Sequence, residues 1–400
     1  MSLLRMVFSS LRQHVFSTFV TAVSIALAGG LLMSVWTIKE QARLTFEQVD
    51  MGFDAVLGAR GSKLQLVLNA IFHMEASPGN LKWEDYEDIK AHPSVDFALP
   101  LALGDNYRGF RIVGTATNIF EEVDFGDGRP LEIELGRTFD DGFQEAVIGS
   151  YVADRLGLTF GDEFHPYHGL IFDEKEQHSE TYLITGVARP TNTPADKVIW
   201  IPVEGVQKMT GHDPKAASDL SAVLVRLSTP QAGFRMDMLY NKQGDRLTFA
   251  WPIGQIVGGL FNKIAWFDKL LQLIAVLVAF VATASVLASL YSSMSQRRRD
   301  IAILRALGAG RGTIFTTVVL ESTAIATFGA VASFGVFWLI LMIAKEIVRV
   351  QTGVILSLGS MNPSMVWTPI GLTLAGALAG IIPAIKAYRT EVASHLLPIS

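Results

Sequence analysis

The sequence predicts an α+β membrane protein: four transmembrane helices, with a large mixed α/β domain on the outer side between helices 1 and 2. Three observations lead there. Half of the 400 residues are hydrophobic and only 18% are charged, with a mean hydropathy of +0.35. That is too apolar for an ordinary soluble protein and too mixed for a chain built only of spans. Four apolar windows each supply the roughly 20 residues that a hydrocarbon core demands. Charge is divided unevenly: residues 39–265 carry 21 Lys and Arg against 33 Asp and Glu, a net of −12, which leaves +7 for the rest of a chain of net −5.

Residues 1–15 read as an interfacial helix, because Leu4, Phe8, Leu11 and Val15 recur at helical spacing while Arg5 and Arg12 can snorkel to headgroups. The alternative is a plain extension of the first span. Residues 16–37 form that span. They follow basic residues as a signal peptide would, but run on to Trp36 without a small-residue cleavage site, so they read as an uncleaved anchor. Residues 38–265 form the outer domain with a helical stalk. Its helix candidate at 81–92 places Trp83, Tyr86 and Ile89 on one face and ends at Pro93. Strand candidates follow at 110–113, 146–148, 181–185, 198–201 and 222–227, punctuated by Gly114, Gly149, Gly186, Pro190 and Pro202. Residues 254–264 return toward the second span, at 266–292.

Residues 293–313 link the second span to the third, at 314–344, which is longer than a bilayer needs and must tilt or project. A loop at 345–365 leads to the fourth span at 366–388, and 389–400 form a tail. The basic excess gathers at the N-terminus, at 295–311 and near Lys386 and Arg389, so both termini and the middle link should face the cytoplasm. Four spans bring both ends to one side, in agreement with the charge.

The link carries the densest chemistry. Arg297, Arg298, Arg299, Asp300, Ile301, Leu304, Arg305 and Gly308 make an arginine-rich amphipathic turn between two spans. It reads either as positive-inside anchoring or as a docking knob for a soluble partner. Glu321 falls inside the third span, where an acid is costly and often functional; Ser322 or Arg311 could satisfy it. Gly376 and Gly380 form a G-x-x-x-G on the fourth span, suited to close helix contact within one subunit or across a dimer. In the outer domain His165, His168 and His178 lie among Asp173, Glu174, Glu176 and Glu180, a donor set suited to Zn²⁺ or a similar ion. The alternative is a solvated acidic loop with scattered histidines. There is no cysteine, which excludes disulfides and thiolate metal sites.

Three stretches together resemble the FtsX/MacB-type permeases, the type VII ABC transporter superfamily. The first is RRRDIAILRALGAGRGTIFTTVVLES at 297–322. The second is Pro383-Ala384-Ile385-Lys386-Ala387-Tyr388-Arg389, similar to that family's terminal P-A-x-x-A-x-R. The third combines Glu145-Ala146-Val147-Ile148-Gly149, the run from Ala153 to Asp162, and Ile184-Thr185-Gly186-Val187, which resembles the family's periplasmic core.

The resemblance implies a multi-pass protein of the bacterial inner membrane with a periplasmic domain at 38–265. It implies a homodimer in contact with membrane lipid, driven by a dimer of cytoplasmic ABC ATPases that hold ATP and Mg²⁺. It also implies a role for the 293–313 segment in ATPase coupling, and leaves room for a periplasmic binding or adaptor protein. The sequence has no G-x-x-x-x-G-K-[ST] motif, so ATP hydrolysis is expected from a separate subunit and not from this chain. No cofactor of its own is expected, apart from the candidate Zn²⁺, and no nucleic acid partner. The implied work is export or extraction of a substrate. Alternatives are force transmission to a periplasmic enzyme or sensor, lipoprotein release, or metal-linked transport.

Overall fold

The β-branched runs between 110 and 227 form strands in a computed structural model that describes residues 3–13, 15–47, 52–125, 129–211, 218–296, 308–352 and 362–389. The chain divides into two units. One comprises Met1–Gln41, Ala265–Glu346 and Ser357–Ser400; the other comprises Ala42–Ile264 and Ile347–Leu356.

The second unit is built on one mixed sheet. Its strands are β1 (Ala55–Ala59), β3 (Val95–Tyr107), β4 (Phe110–Thr115), β5 (Ile133–Gly136), β6 (Glu145–Ile148), β9 (Tyr182–Ala188), β10 (Val198–Pro202), β12 (Ala222–Leu227) and β13 (Leu247–Ala250). They run in the order β13-β1-β12-β3-β4-β10-β6-β9-β5. The short β7 (Glu163–Phe164) pairs with β9, and β8 (Tyr167–His168) pairs with β3. A separate ribbon joins β2 (Leu81–Lys82) to β11 (Asp219–Leu220). The β4–β10 and β6–β9 pairs are parallel; the other pairs are antiparallel.

Helices cover both faces of the sheet, so its central strands are apolar along their whole length and do not alternate. All five residues of β10 are buried. On one face Ile112, Ile148, Ile199 and Val223 pack with residues of α4 (Trp83–Lys90), α6 (Ser150–Leu156), α7 (Val203–Gln207) and α8 (Pro230–Asp237). On the other, Val113, Val147, Trp200 and Leu224 pack with α3 (Lys63–Ala70), α5 (Ile119–Glu122) and the first turns of α9 (Ile253–Gln296). Each fully buried side chain of the size of Leu57 or Phe249 contributes roughly 1.5–3 kcal/mol.

Local signals set the helix ends. Gly157, with φ of +67°, closes α6 by donating its N–H to Ala153 O. Asp85 caps α4: it accepts from the Lys82 N–H at 2.9 Å and takes both guanidinium arms of Arg246. Burial alone would raise the Asp85 pKa, but Arg246 and the Lys82 N–H outweigh it and hold the carboxyl below its usual range. Asp85→Ala is expected to destabilise the outer unit by about 1–2 kcal/mol, because one cap and one charge-assisted pair go while Arg246 returns to water. Chemical denaturation of the solubilised full chain, followed by tryptophan fluorescence, measures it.

The first unit holds α1 (Leu3–Gln13), most of α2 (Val15–Glu47), the later part of α9, most of α10 (Arg311–Thr352), and α11 (Ser364–Arg389). Helices α2, α9, α10 and α11 are each long and apolar enough to cross a membrane. Ile25, Ala28, Ala282, Val286, Ala326, Ala330 and Leu372 form their shared interior. Phe16, Phe280, Phe328 and Trp367 remain exposed, as lipid-facing side chains do.

Two helices extend beyond the apolar windows that marked the spans. The stalk at 254–264 and the second span are one unbroken helix, α9. The loop expected from 345 begins as helix through Thr352. Lys345, Glu346 and Arg349 ended the apolar window, but charge does not end a helix. Within the outer unit Arg349 pairs with Asp154 at 2.9 Å and lies over the Tyr151 ring, while Lys197 Nζ donates to Val350 O at 2.7 Å.

Candidate functional site

Two constellations stand out, one in each unit. In the helical unit Glu321 is buried and its Oε1 accepts a hydrogen bond from Ser10 Oγ, which α1 supplies. The sequence pointed to Ser322 or Arg311 for that role. Instead Ser322 Oγ turns back to Val319 O at 2.8 Å, and Arg311 lies over the Tyr388 ring. Beside them Gly380 meets Ser322 and Gly376 meets Ala326, so the G-x-x-x-G of α11 packs on α10 of the same chain. Gly29 and Gly30 of α2 meet Ser333 and Val336 of α10 in the same way. The ends of these helices are basic and aromatic: Lys386 Nζ donates to Tyr291 Oη and sits 4.0 Å from its ring centroid.

In the outer unit the β3–β8 pairing sets His168 directly across from Asp105. The chain then turns through 169–177 and returns, with the His178 N–H donating to Pro166 O at 2.9 Å. Three side chains therefore converge. Asp105 Oδ1 lies 3.4 Å from His168 Nδ1 and 3.3 Å from His178 Nε2. Asp105 is fully buried, the His178 side chain is 4% exposed and the His168 side chain is 51% exposed. His178 Nδ1 faces Thr210 O at 2.7 Å. Burial pulls the His178 pKa down, yet the Asp105 carboxylate beside it, through hydrogen bond and charge, lifts it above the ordinary value.

His165 does not join this group; its Nδ1 contacts Glu180 O at 3.1 Å. The loop acids stay out as well: Glu180 accepts from the Thr210 N–H, and Asp173 caps the Lys175 N–H. Among the described residues, the carboxylate that meets both histidines is Asp105, 73 residues before His178. Of the ATPase-coupling candidates only Gly308 is described, with φ of +96°; Arg297, Arg298, Arg299, Asp300, Ile301, Leu304 and Arg305 lie outside the described residues.

Residues 272–392 run from α9 through the arginine segment to α11, and they match the family described as FtsX-like permease C-terminal. The chain is 23% identical over 413 residues to the macrolide export ATP-binding/permease protein MacB of Bordetella avium, covering 98% of this chain and 59% of that protein. It is 23% identical over 321 residues to the probable syringafactin export ATP-binding/permease protein SyfD of Pseudomonas syringae pv. syringae, covering 78% and 48%. Residues 272–392 therefore carry an FtsX-like permease domain, and the chain as a whole is similar to MacB-type ABC permeases. The chain spans about half the length of the curated relatives it matches. It is also similar to the periplasmic region of MacB from Actinobacillus actinomycetemcomitans, at a TM-score of 0.35 and 14% identity, covering 53% of this chain and 94% of that structure.

Proposed function

We propose that this permease is a force-transmitting subunit of a bacterial ABC system, lying in the inner membrane with both termini in the cytoplasm. It works as a homodimer with a separate pair of ATPase subunits. The observation that carries the reading is helix continuity on both sides of the arginine segment. Helix α9 runs unbroken from Ile253 to Gln296, the residue before Arg297. Helix α10 begins at Arg311 and ends at Thr352, after Arg349 and Val350 have engaged Asp154 and Lys197. A displacement of residues 297–310 is thereby passed along two stiff rods to the folded outer unit. At about 1.5 Å per residue each rod is more than 60 Å long, about twice the hydrocarbon thickness. Close glycine contacts among α2, α10 and α11 support movement of the spans as one body, with work done on a substrate outside the membrane. That work is export or extraction.

The absence of cysteine makes the topology directly measurable. Glu174→Cys is expected to react with a membrane-impermeant maleimide in cells whose outer membrane alone is permeable. Gly310→Cys is expected to react only after the inner membrane is opened. Labelling of both sites from one side overturns the reading.

A further inference from the structure

We propose that Asp105, His168 and His178 form a binding site for one zinc-class divalent cation on the outer domain. The proposal goes beyond the force-transmitting reading and does not depend on it. It stands on the hydrogen-bond geometry of His178. A backbone carbonyl can only accept, so Thr210 O at 2.7 Å places the proton of a neutral His178 on Nδ1. The lone pair of Nε2 then points at Asp105 Oδ1, 3.3 Å away. Two acceptors facing one another in a buried site require a positive charge between them. A proton meets that need for His178 alone. A metal ion meets it for His178 and His168 together, because His168 Nδ1 addresses the same oxygen from 3.4 Å.

The spacing fits the ion. With ligands about 2.0 Å from Zn²⁺, a tetrahedral site sets its donors about 3.3 Å apart. The donor atoms of all three residues lie within 4.8 Å of one another, and a rotation of the half-exposed His168 ring closes the remaining gap. Two imidazoles and a carboxylate suit a zinc-class ion better than a hard cation such as Mg²⁺. The outer support is also present. A ligating histidine usually donates its second ring N–H to a carbonyl, as His178 does to Thr210. Thr210 is itself fixed, since both its N–H and its hydroxyl donate to Glu180 Oε1. The described residues supply three protein ligands, and a tetrahedral ion takes a fourth. His168 borders a cavity of about 280 Å³ lined also by Asn80, Gln207 and Ser221, with room for water or an exchangeable ligand.

The test uses the full chain, solubilised, carrying no histidine tag and stripped with a chelator. It is titrated with Zn²⁺ alone against a competing metal-binding dye, then with Co²⁺, whose visible spectrum reports tetrahedral nitrogen and oxygen ligation. One Zn²⁺ per chain and a tetrahedral Co²⁺ spectrum are expected. His168→Ala, at a half-exposed position on a two-residue edge strand, should keep the melting curve, weaken Zn²⁺ binding at least about tenfold and abolish the Co²⁺ bands. His165→Ala should change neither. Binding well below one equivalent, or equal behaviour of the two variants, overturns the proposal and leaves a proton between Asp105 and His178.

Discussion

Gly380→Val is expected to remove most of the folded permease from the membrane. A Cβ at position 380 would lie 1.9 Å from Ser322 Oγ and 2.6 Å from Ser322 Cβ, and Ser322 is fully buried. Ser322 cannot yield without giving up its bond to Val319 O or pressing on its buried surroundings. Overpacking of this kind costs about 1–3 kcal/mol for a single methyl group, and the branched side chain adds more. Gly380→Ala is the milder form and should lower the melting temperature of the solubilised chain measurably. Gly371→Ala on the same helix is the control, because a Cβ there meets nothing within 4 Å; it should be neutral or slightly stabilising. The pair Gly380→Ala with Ser322→Gly removes the contact from the other side and should recover much of the loss. If Gly380→Ala melts like the parent, the α10–α11 seam is not closely packed and the spans do not move as one body.

The same seam shows which features a linear reading can reach. Small residues at i and i+4 were visible on the fourth span, but their partner was not. Ser322 and Ala326 lie fifty or more positions earlier, and their spacing of four is shared by other small pairs such as Ala26 and Gly30, so spacing alone does not say which faces meet. The strands at 110–115, 145–148, 182–188, 198–202 and 222–227 were legible because each is a short apolar run with β-branched residues, and the first four carry Gly or Pro in or beside the run. β3 was not. It is thirteen residues long but contains Pro100 and Gly104, which in sequence argue against a strand. In the sheet Pro100 sits opposite Val223. β1 was hidden too, since Ala55–Ala59 has little β-branching and draws its place from burial between β12 and β13.

Sites followed the same rule. The local density of histidine marked His168 and His178, while Asp105 entered only through the β3–β8 register. Having missed β3, a reading by proximity in sequence assigned the carboxylates of the 173–180 loop instead. For Glu321, neighbours in sequence suggested Ser322 or Arg311, but the donor is Ser10, 311 residues away, on a helix that folds back against α10. In each case the chemistry of a residue was readable, and its partner depended on a tertiary contact without a local signature.

The reversal of two link arginines, Arg298→Glu with Arg305→Glu, is expected to uncouple the ATPase proposed as this chain's partner. The two positions are seven residues apart. In a helical segment that spacing puts them on one face, with Ile301 and Leu304 between them. A docking face of this kind pairs guanidinium groups with carboxylates of the partner while the apolar side chains fill a groove. Reversing both charges turns local +2 into −2 and sets like charge against like. Juxtaposition of that kind costs several kcal/mol, and each 1.4 kcal/mol is tenfold in affinity. Stimulation of the ATPase by the reconstituted permease should fall at least about tenfold. The melting curve of the solubilised permease is the control for folding. Topology needs its own control, because under the positive-inside rule the same arginines are expected to keep this segment in the cytoplasm. Arg297, Arg299 and Arg311 remain, and maleimide labelling of Gly310→Cys in the double variant reports whether orientation survives. With orientation and melting intact, full ATPase stimulation would remove the arginine segment from the coupling path and leave positive-inside anchoring as its role.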